Sequence, residues 1–75
     1  MHGTSIANHA DLGRRVRAAR EARQWTQEAL GRHAGVERIT VVRLERGTPV
    51  NSTTLFKVLE ALDLRVDLIP SDAPR

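Results

Sequence analysis

At 75 residues, with 40% hydrophobic residues, the chain is long enough for one small domain with a thin core, which a partner subunit would help to stabilise. It has no cysteine, which excludes a disulfide framework and a thiolate metal site. It also has no secretory signal and no apolar run long enough to span a bilayer, which predicts a soluble, cytoplasmic protein without a membrane segment.

The formal net charge is only +3, but the basic residues are unevenly placed. Between Arg14 and Arg46 there are nine arginines and four glutamates, whereas from Asn51 onward four acidic residues face three basic ones. A basic segment of this kind is typical of a surface that binds phosphates. Because eleven of the twelve basic residues are arginine, a genome-wide codon bias explains that choice equally well, and only the clustering indicates binding.

The first predicted element is a helix from about Ala10 to Arg23, which follows a loose arm at residues 1–9. Asn8 is a suitable N-cap, and Asp11 would interact favourably with the positive end of the helix dipole. The remaining chain, residues 10–75, is predicted to be a single domain. The apolar residues of this first helix recur at helical spacing: Leu12, Val16 and Ala19.

Two short helices joined by a tight turn follow, at about Gln27–Ala34 and Arg38–Arg46. Thr26 is a plausible N-cap of the first of them, and Trp25 before it is placed to pack onto Leu30.

Two glycines and a set of apolar positions indicate that these helices cross as a helix-turn-helix motif. Gly35 lies at the turn, where a positive φ is required, and Gly31 lies where the helices approach most closely. The apolar residues that the crossing would bury are Leu30, Ala34, Val36, Val41 and Leu44. Arg38, Thr40 and Arg43 would point outward, on the face that enters the major groove of DNA in such motifs.

The last predicted helix, at about Thr53–Leu62, is followed by a strand at Leu64–Ile69. One of Asn51, Ser52 or Thr53 should cap the helix, whose apolar stripe Phe56 broadens. After Leu62 the hydrophobic period changes from helical to alternating, because the apolar residues Leu64, Val66 and Leu68 are separated by Arg65 and Asp67.

A lone strand has no partner within its own chain for its backbone N–H and C=O groups. Two copies that pair antiparallel across a two-fold axis would satisfy these groups, and would place Leu64, Val66 and Leu68 of both chains in a shared core. We therefore predict an all-α fold of four helices with one C-terminal strand that pairs across a homodimer. The alternative is an unpaired tail with an alternating sequence.

Residues 10–62 resemble the lambda-repressor-like (Cro/C1-type, XRE) helix-turn-helix family. The arginine-rich first helix, WTQEALGRHAGV at 25–36 and ITVVRLERG at 39–47 carry the resemblance. NSTTLFKVLEALDLRVDLI at 51–69 is most similar to the HipB-type antitoxins, in which the fourth helix leads directly into a dimer-forming strand. Most members of the wider family have a fifth helix there.

The resemblance implies roles for particular residues. Gln27 matches a phosphate-contacting glutamine, and Arg20 and Glu45 match a structural ion pair between the first and third helices. The residues that match base-facing positions are Arg38, Ile39, Thr40 and Arg43. The expected DNA-binding set is completed by Thr26, Glu37 and Arg46.

Three positions depart from the family's pattern. Glu37 stands where serine, threonine or lysine is common, and its charge opposes phosphate, so it is expected to cap the helix or to accept from a cytosine amine. Val42 replaces a common serine, which removes one phosphate contact. Ile39 can read at best a thymine methyl group. Arg38 and Arg43 either read guanine or contact phosphate, and the sequence does not distinguish these roles.

The sequence indicates no enzyme, metal site or cofactor. His2, His9 and His33 share no metal-ligand spacing. Ser5, Ser52 and the histidines form no recognisable nucleophile–base arrangement, and there is no glycine-rich phosphate loop.

The sequence therefore predicts a homodimeric repressor that binds a pseudo-palindromic operator in double-stranded DNA, with half-sites roughly 34 Å apart. The resemblance implies, more specifically, the antitoxin of a HipBA-like operon, which represses its own promoter and binds a HipA-like kinase toxin. Two alternatives stay open: a phage or host regulator without a toxin partner, and a protein-interaction module that reuses the fold.

Overall fold

The computed structural model describes residues 6–68 and residue 70. Four helices account for most of this part of the chain: α1 (His9–Ala22), α2 (Gln27–Ala34), α3 (Arg38–Glu45) and α4 (Ser52–Ala61). Each bound lies within one residue of its predicted place. The first helix begins at the last residue of the predicted arm, and positions 1–5 of that arm lie outside the described residues.

Side chains cap three of the four helices at their N-termini. Asn8 accepts from the backbone N–H of Asp11 at 2.9 Å, and Thr26 accepts from that of Ala29 at 3.0 Å. Of the three candidates for α4, Asn51 is the cap, because its side chain accepts from the N–H of Thr54 at 2.8 Å. Glu37 is the N-cap of α3, but its carboxylate makes no capping hydrogen bond.

The core lies where all four helices meet, and α1, α2 and α3 contribute to it at positions that the apolar pattern predicts. Its buried members are Val16, Leu30, Val41, Leu44, Val58, Leu59 and Leu62. Trp25 is half-buried and packs against this cluster, as expected for a residue that fixes the entry into α2. Phe56, by contrast, broadens the apolar stripe of α4 outside the core, since 56% of it is exposed.

Three glycines shape the surroundings of α3: one ends α2, and the other two permit close approaches of the backbone. Gly35 is the left-handed C-cap of α2, with φ at 75°, and leads into the turn. At Gly31 an added Cβ would lie 2.7 Å from the carbonyl oxygen of Val36. At Gly13, on α1, an added Cβ would lie 2.5 Å from the carbonyl oxygen of Leu44, so α1 and α3 are in backbone contact.

Beyond α4 the described part of the chain belongs to no regular element. Residues 64–68 form no strand in the described part of this single chain, and Ile69 lies outside it. Leu64 is half-buried against the core, whereas Val66 and Leu68 are exposed. One chain supplies no second strand to pair with, so the strand and the homodimer remain predictions. None of the described helices combines the length and the hydropathy needed to cross a membrane.

Candidate functional site

The outward face of α3 presents polar and basic side chains to solvent. Arg38, Ile39 and Arg43 are exposed, and Thr40 is half-buried. Within the described residues, the guanidinium groups of Arg38 and Arg43 form no hydrogen bond or ion pair, so both are available to a ligand. Val42 is buried, with 9% of it exposed, and it lines the polar cleft beside Arg38.

The start of α2 lies beside the end of α3. Thr26 uses its hydroxyl oxygen to cap α2, and Gln27 donates from Nε2 to Glu45 Oε1 at 3.2 Å. The backbone N–H groups of the first turn of α2 carry the partial positive charge of a helix N-terminus. The amide of Gln27 therefore lies at a position that favours anions, and Glu45 fixes its orientation.

Arg20 and Glu45 form a two-bond ion pair between α1 and α3. Arg20 donates from Nε to Glu45 Oε2 at 2.6 Å and from Nη2 to Glu45 Oε1 at 3.0 Å. A third donor, Nη1, reaches the carbonyl oxygen of Trp25 at 2.7 Å. The hydrogen bonds to Glu45 raise the pKa of the Arg20 guanidinium, outweighing the opposing effect of desolvation. The Arg20 guanidinium stays protonated, and the pair ties both helices to the entry of α2.

A polar cleft of about 360 Å³ lies between α1, α2 and α3. It brings together five residues that the sequence assigned to DNA binding or to the ion pair: Arg20, Gln27, Arg38, Glu45 and Arg46. Arg17 also lines it, and sequence reasoning did not single this residue out. The signal that could have found it is helical spacing, because Arg17 precedes Arg20 by three positions and so shares its face of α1.

A stacked pair of rings links the residue before the N-cap of α2 to the last turn of that helix. The Trp25 ring stacks on the His33 ring, with centroids 4.0 Å apart and an interplanar angle of 6°. The Arg23 guanidinium lies 5.4 Å from the centroid of the Trp25 ring and donates to the carbonyl oxygen of Leu62 at 2.7 Å. This arrangement joins the entry of α2 to the end of α4.

A second, more apolar groove of about 620 Å³ lies between α4 and the segment that follows it. Phe56, Leu64 and Val66 supply its apolar walls, and charges of both signs surround them. Leu68, the third residue assigned to dimerisation, is 92% exposed just beyond. The described residues contain no group of histidine and acidic side chains arranged to hold a metal ion.

Comparison with known proteins supports a DNA-binding role for this chain. Residues 16–69 match the family model described as helix-turn-helix. No curated protein sequence matches the chain.

Solved structures are similar over most of the chain. A HipA–HipB–O2–O3 complex contains a chain with a TM-score of 0.83 and 25% identity, over 93% of this chain and 100% of that one. A HipB–O4 20mer complex gives a TM-score of 0.82 and 25% identity, over 93% of this chain and 100% of that one. The restriction-modification controller protein C.AhdI from Aeromonas hydrophila gives 0.70 and 33%, over 76% of this chain and 84% of that one. The chain therefore belongs to the helix-turn-helix family, as a lambda-repressor-like (XRE-type) DNA-binding regulator.

Proposed function

We propose that this regulator is the antitoxin of a HipBA-like operon. It binds a pseudo-palindromic operator in its own promoter as a homodimer, and it binds a HipA-like kinase toxin. The observation that carries the DNA-binding part is the outward face of α3, where Arg38 and Arg43 are exposed and unpaired among the described residues, beside the basic cleft.

In this proposal α3 enters the major groove and reads bases from its exposed face. Each of Arg38 and Arg43 can form a bidentate contact with guanine, worth roughly 1–3 kcal/mol of discrimination. Ile39 offers only apolar contact, which suits a thymine methyl group. The carboxylate of Glu37 is not used for capping, so it is free to accept from a cytosine amine.

The proposed dimer uses the groove between α4 and the tail, with a second copy of this chain as its occupant. The groove is lined by Lys57 and Arg65 and by Glu60 and Asp63, so a two-fold related copy brings charges of both signs to the same groove and can pair with them. Pairing of Leu64–Ile69 with the same strand of the partner would cover Val66, Leu68 and Phe56, which are exposed in the single chain. The dimer would also fix the distance between the two α3 helices.

The toxin partner rests on similarity alone. The complex of HipA, HipB and O2–O3 contains a chain that matches 93% of this one at 25% identity. The second candidate function, a regulator without a toxin partner, is favoured by the 33% identity with a restriction-modification controller protein. The two functions share the DNA-binding site and differ only in whether a kinase-like protein binds the dimer.

The decisive measurement of DNA binding is anisotropy with the duplex upstream of the protein's own gene and with a scrambled duplex of equal length. We expect a clear preference for the upstream duplex, and affinity that falls by orders of magnitude between about 50 and 200 mM salt. A flat salt response, or equal affinity for both duplexes, would contradict the proposal. Purification together with the product of the adjacent gene, if that gene encodes a HipA-like kinase, separates the antitoxin from the regulator without a toxin.

A further inference from the structure

Arg17 lines the cleft, and its guanidinium is paired with an acidic side chain of its own helix. Its Nε donates to Glu21 Oε2 at 3.0 Å, one helical turn along α1. Both side chains are largely exposed, 64% for Arg17 and 54% for Glu21. Ion pairs of this kind between exposed residues contribute little to stability, because water and salt compete for both charges. The pair can therefore open at small cost.

The charges in the cleft are unbalanced. Four arginines line it against one carboxylate, that of Glu45. Both oxygens of that carboxylate are engaged, by two bonds from Arg20 and one from Gln27. The guanidinium groups of Arg38 and Arg46 have no hydrogen-bond or ion-pair partner among the described residues. The cleft thus presents positive charge that the described chain does not neutralise, which favours an anion.

The position of the cleft relative to α3 indicates which anion would bind there. Its walls are α1 at Arg17 and Arg20, the start of α2 at Gln27, and α3 along its length from Arg38 to its C-cap Arg46. When α3 lies in a major groove, the chain elements beside it face the sugar–phosphate strand that borders the groove. A backbone phosphate is therefore the anion that the cleft meets when the protein is bound to DNA.

We propose that this cleft holds one backbone phosphate of the operator, and that Arg17 is a ligand of that phosphate which gives up Glu21 on binding. The inference rests on the DNA binding proposed above. Glu21 then has a defined role: it holds Arg17 at the edge of the cleft in the free protein and competes with DNA for it. A charge-assisted arginine–phosphate contact in the partly enclosed cleft is stronger than the exposed pair that it replaces.

Arg17→Ala tests the ligand. Because each neutralised phosphate contributes about 0.9 to the slope of log affinity against log salt, we expect that slope to fall by about one unit. The parental loss of affinity between about 50 and 200 mM salt should shrink three- to fourfold. The loss of affinity should be equal on the upstream and scrambled duplexes, since a phosphate contact carries no base information. Arg17→Lys, which keeps the charge, should retain most of the slope.

Glu21→Gln tests whether Glu21 competes with the DNA phosphate for Arg17. We expect affinity for both duplexes to rise several-fold at low salt, and this gain should disappear when Arg17→Ala is also present. A purely structural Arg17–Glu21 pair predicts instead that both single variants lower the melting temperature alike and leave the salt slope unchanged.

The matched control is Arg32→Ala, which removes an exposed arginine of α2 that does not line the cleft. If the salt slope fell equally for Arg32→Ala and Arg17→Ala, the loss of net charge alone would explain it, and the inference would be overturned. If the parental protein binds its upstream duplex but Arg17→Ala keeps the parental salt slope, Arg17 is not a ligand of the phosphate, and the proposed function stands. If the parental protein binds no DNA, both fail together.

Discussion

At the scale of single residues, the position of α3 depends on a glycine that makes no side-chain contact. Gly13 lies in the middle of α1, where alanine would ordinarily be the better residue by about 1 kcal/mol. An added Cβ there would lie 2.5 Å from the carbonyl oxygen of Leu44 and 2.7 Å from that of Glu45. Both atoms belong to the backbone and cannot rotate away, so α1 and α3 would have to separate.

We therefore predict that Gly13→Ala lowers the free energy of unfolding by about 1–3 kcal/mol, despite its gain in helix propensity. Urea denaturation followed by the fluorescence of Trp25 measures this. DNA affinity should also fall, because α3 is displaced relative to the cleft. The exposed Ala18→Gly on the same helix isolates the propensity effect. If Gly13→Ala is more stable than the parental protein, the backbone contact between α1 and α3 is not as close as described.

Sequence reasoning missed Gly13 for a physical reason. Its clash partner lies 31 positions along the chain, on another helix, and no local pattern reports a contact between backbones. Gly31 and Gly35 could be predicted because both act within one motif, in which the turn requires a positive φ and a close approach. Local rules likewise predicted the caps Asn8 and Thr26, whose partners lie three residues away.

At the scale of the helices, the buried pair Arg20–Glu45 holds α1 against α3. Their side chains are 11% and 4% exposed, so loss of Glu45 leaves the Arg20 guanidinium largely desolvated, with only the exposed Glu21 carboxylate 4.0 Å away. Glu45 in addition orients Gln27. Periodicity alone could not identify this pair, since its members are 25 residues apart, and only the family resemblance connected them.

We predict that Glu45→Leu lowers the free energy of unfolding by about 3–5 kcal/mol, because the Arg20 guanidinium then loses its buried counter-charge and keeps only the exposed carboxylate of Glu21, 4.0 Å away. The double variant Arg20→Met with Glu45→Leu should recover much of that loss, since both buried charges are gone. Chemical denaturation measures both values. Arg14→Ala removes an exposed pair with Asp11 and should cost less than about 1 kcal/mol. If Glu45→Leu lowered the free energy of unfolding as little as Arg14→Ala does, water would have to reach the Arg20–Glu45 pair.

The face of α3 and the start of α2 should give different signatures in DNA binding. Arg38→Ala or Arg43→Ala is expected to relax the preference at one position of each half-site, because a bidentate base contact is lost. Gln27→Ala should weaken binding to all sequences alike, because a phosphate contact is lost. A selection-based binding profile of each variant separates these effects. If both arginine variants keep the parental profile and bind only more weakly, neither side chain reads a base.

At the scale of the whole molecule, the apolar residues of the described chain are not all used by its own core. Phe56 lies on the apolar stripe of α4 yet is 56% exposed, and Val66 and Leu68 are exposed beyond it. Hydrophobic periodicity predicts that a face is buried, but it does not state whether its own chain or another chain buries it. A second copy resolves this ambiguity, and it also supplies the strand that Leu64–Ile69 requires.

The dimer should in turn determine operator binding, because pairing through Leu64–Ile69 sets the separation of the two α3 helices. Val66→Pro removes a possible ladder N–H and fixes φ near about −65°, which an interior strand position tolerates poorly. We predict that this variant shifts towards monomer in analytical ultracentrifugation, while circular dichroism shows that the helices remain folded. Operator affinity should fall sharply, since each monomer then binds one half-site alone.

Val66→Ile is the matched control, because it preserves the branched apolar side chain and the backbone donor, and it should sediment as the parental dimer. An unchanged Val66→Pro dimer with unchanged operator affinity would exclude the tail as the interface. Phe56→Glu would then test whether α4 forms the interface, since it places a charge on the exposed part of α4 without altering the tail. Dissociation by Phe56→Glu alone would assign the interface to α4, and half-site spacing would then follow from the crossing of the two α4 helices.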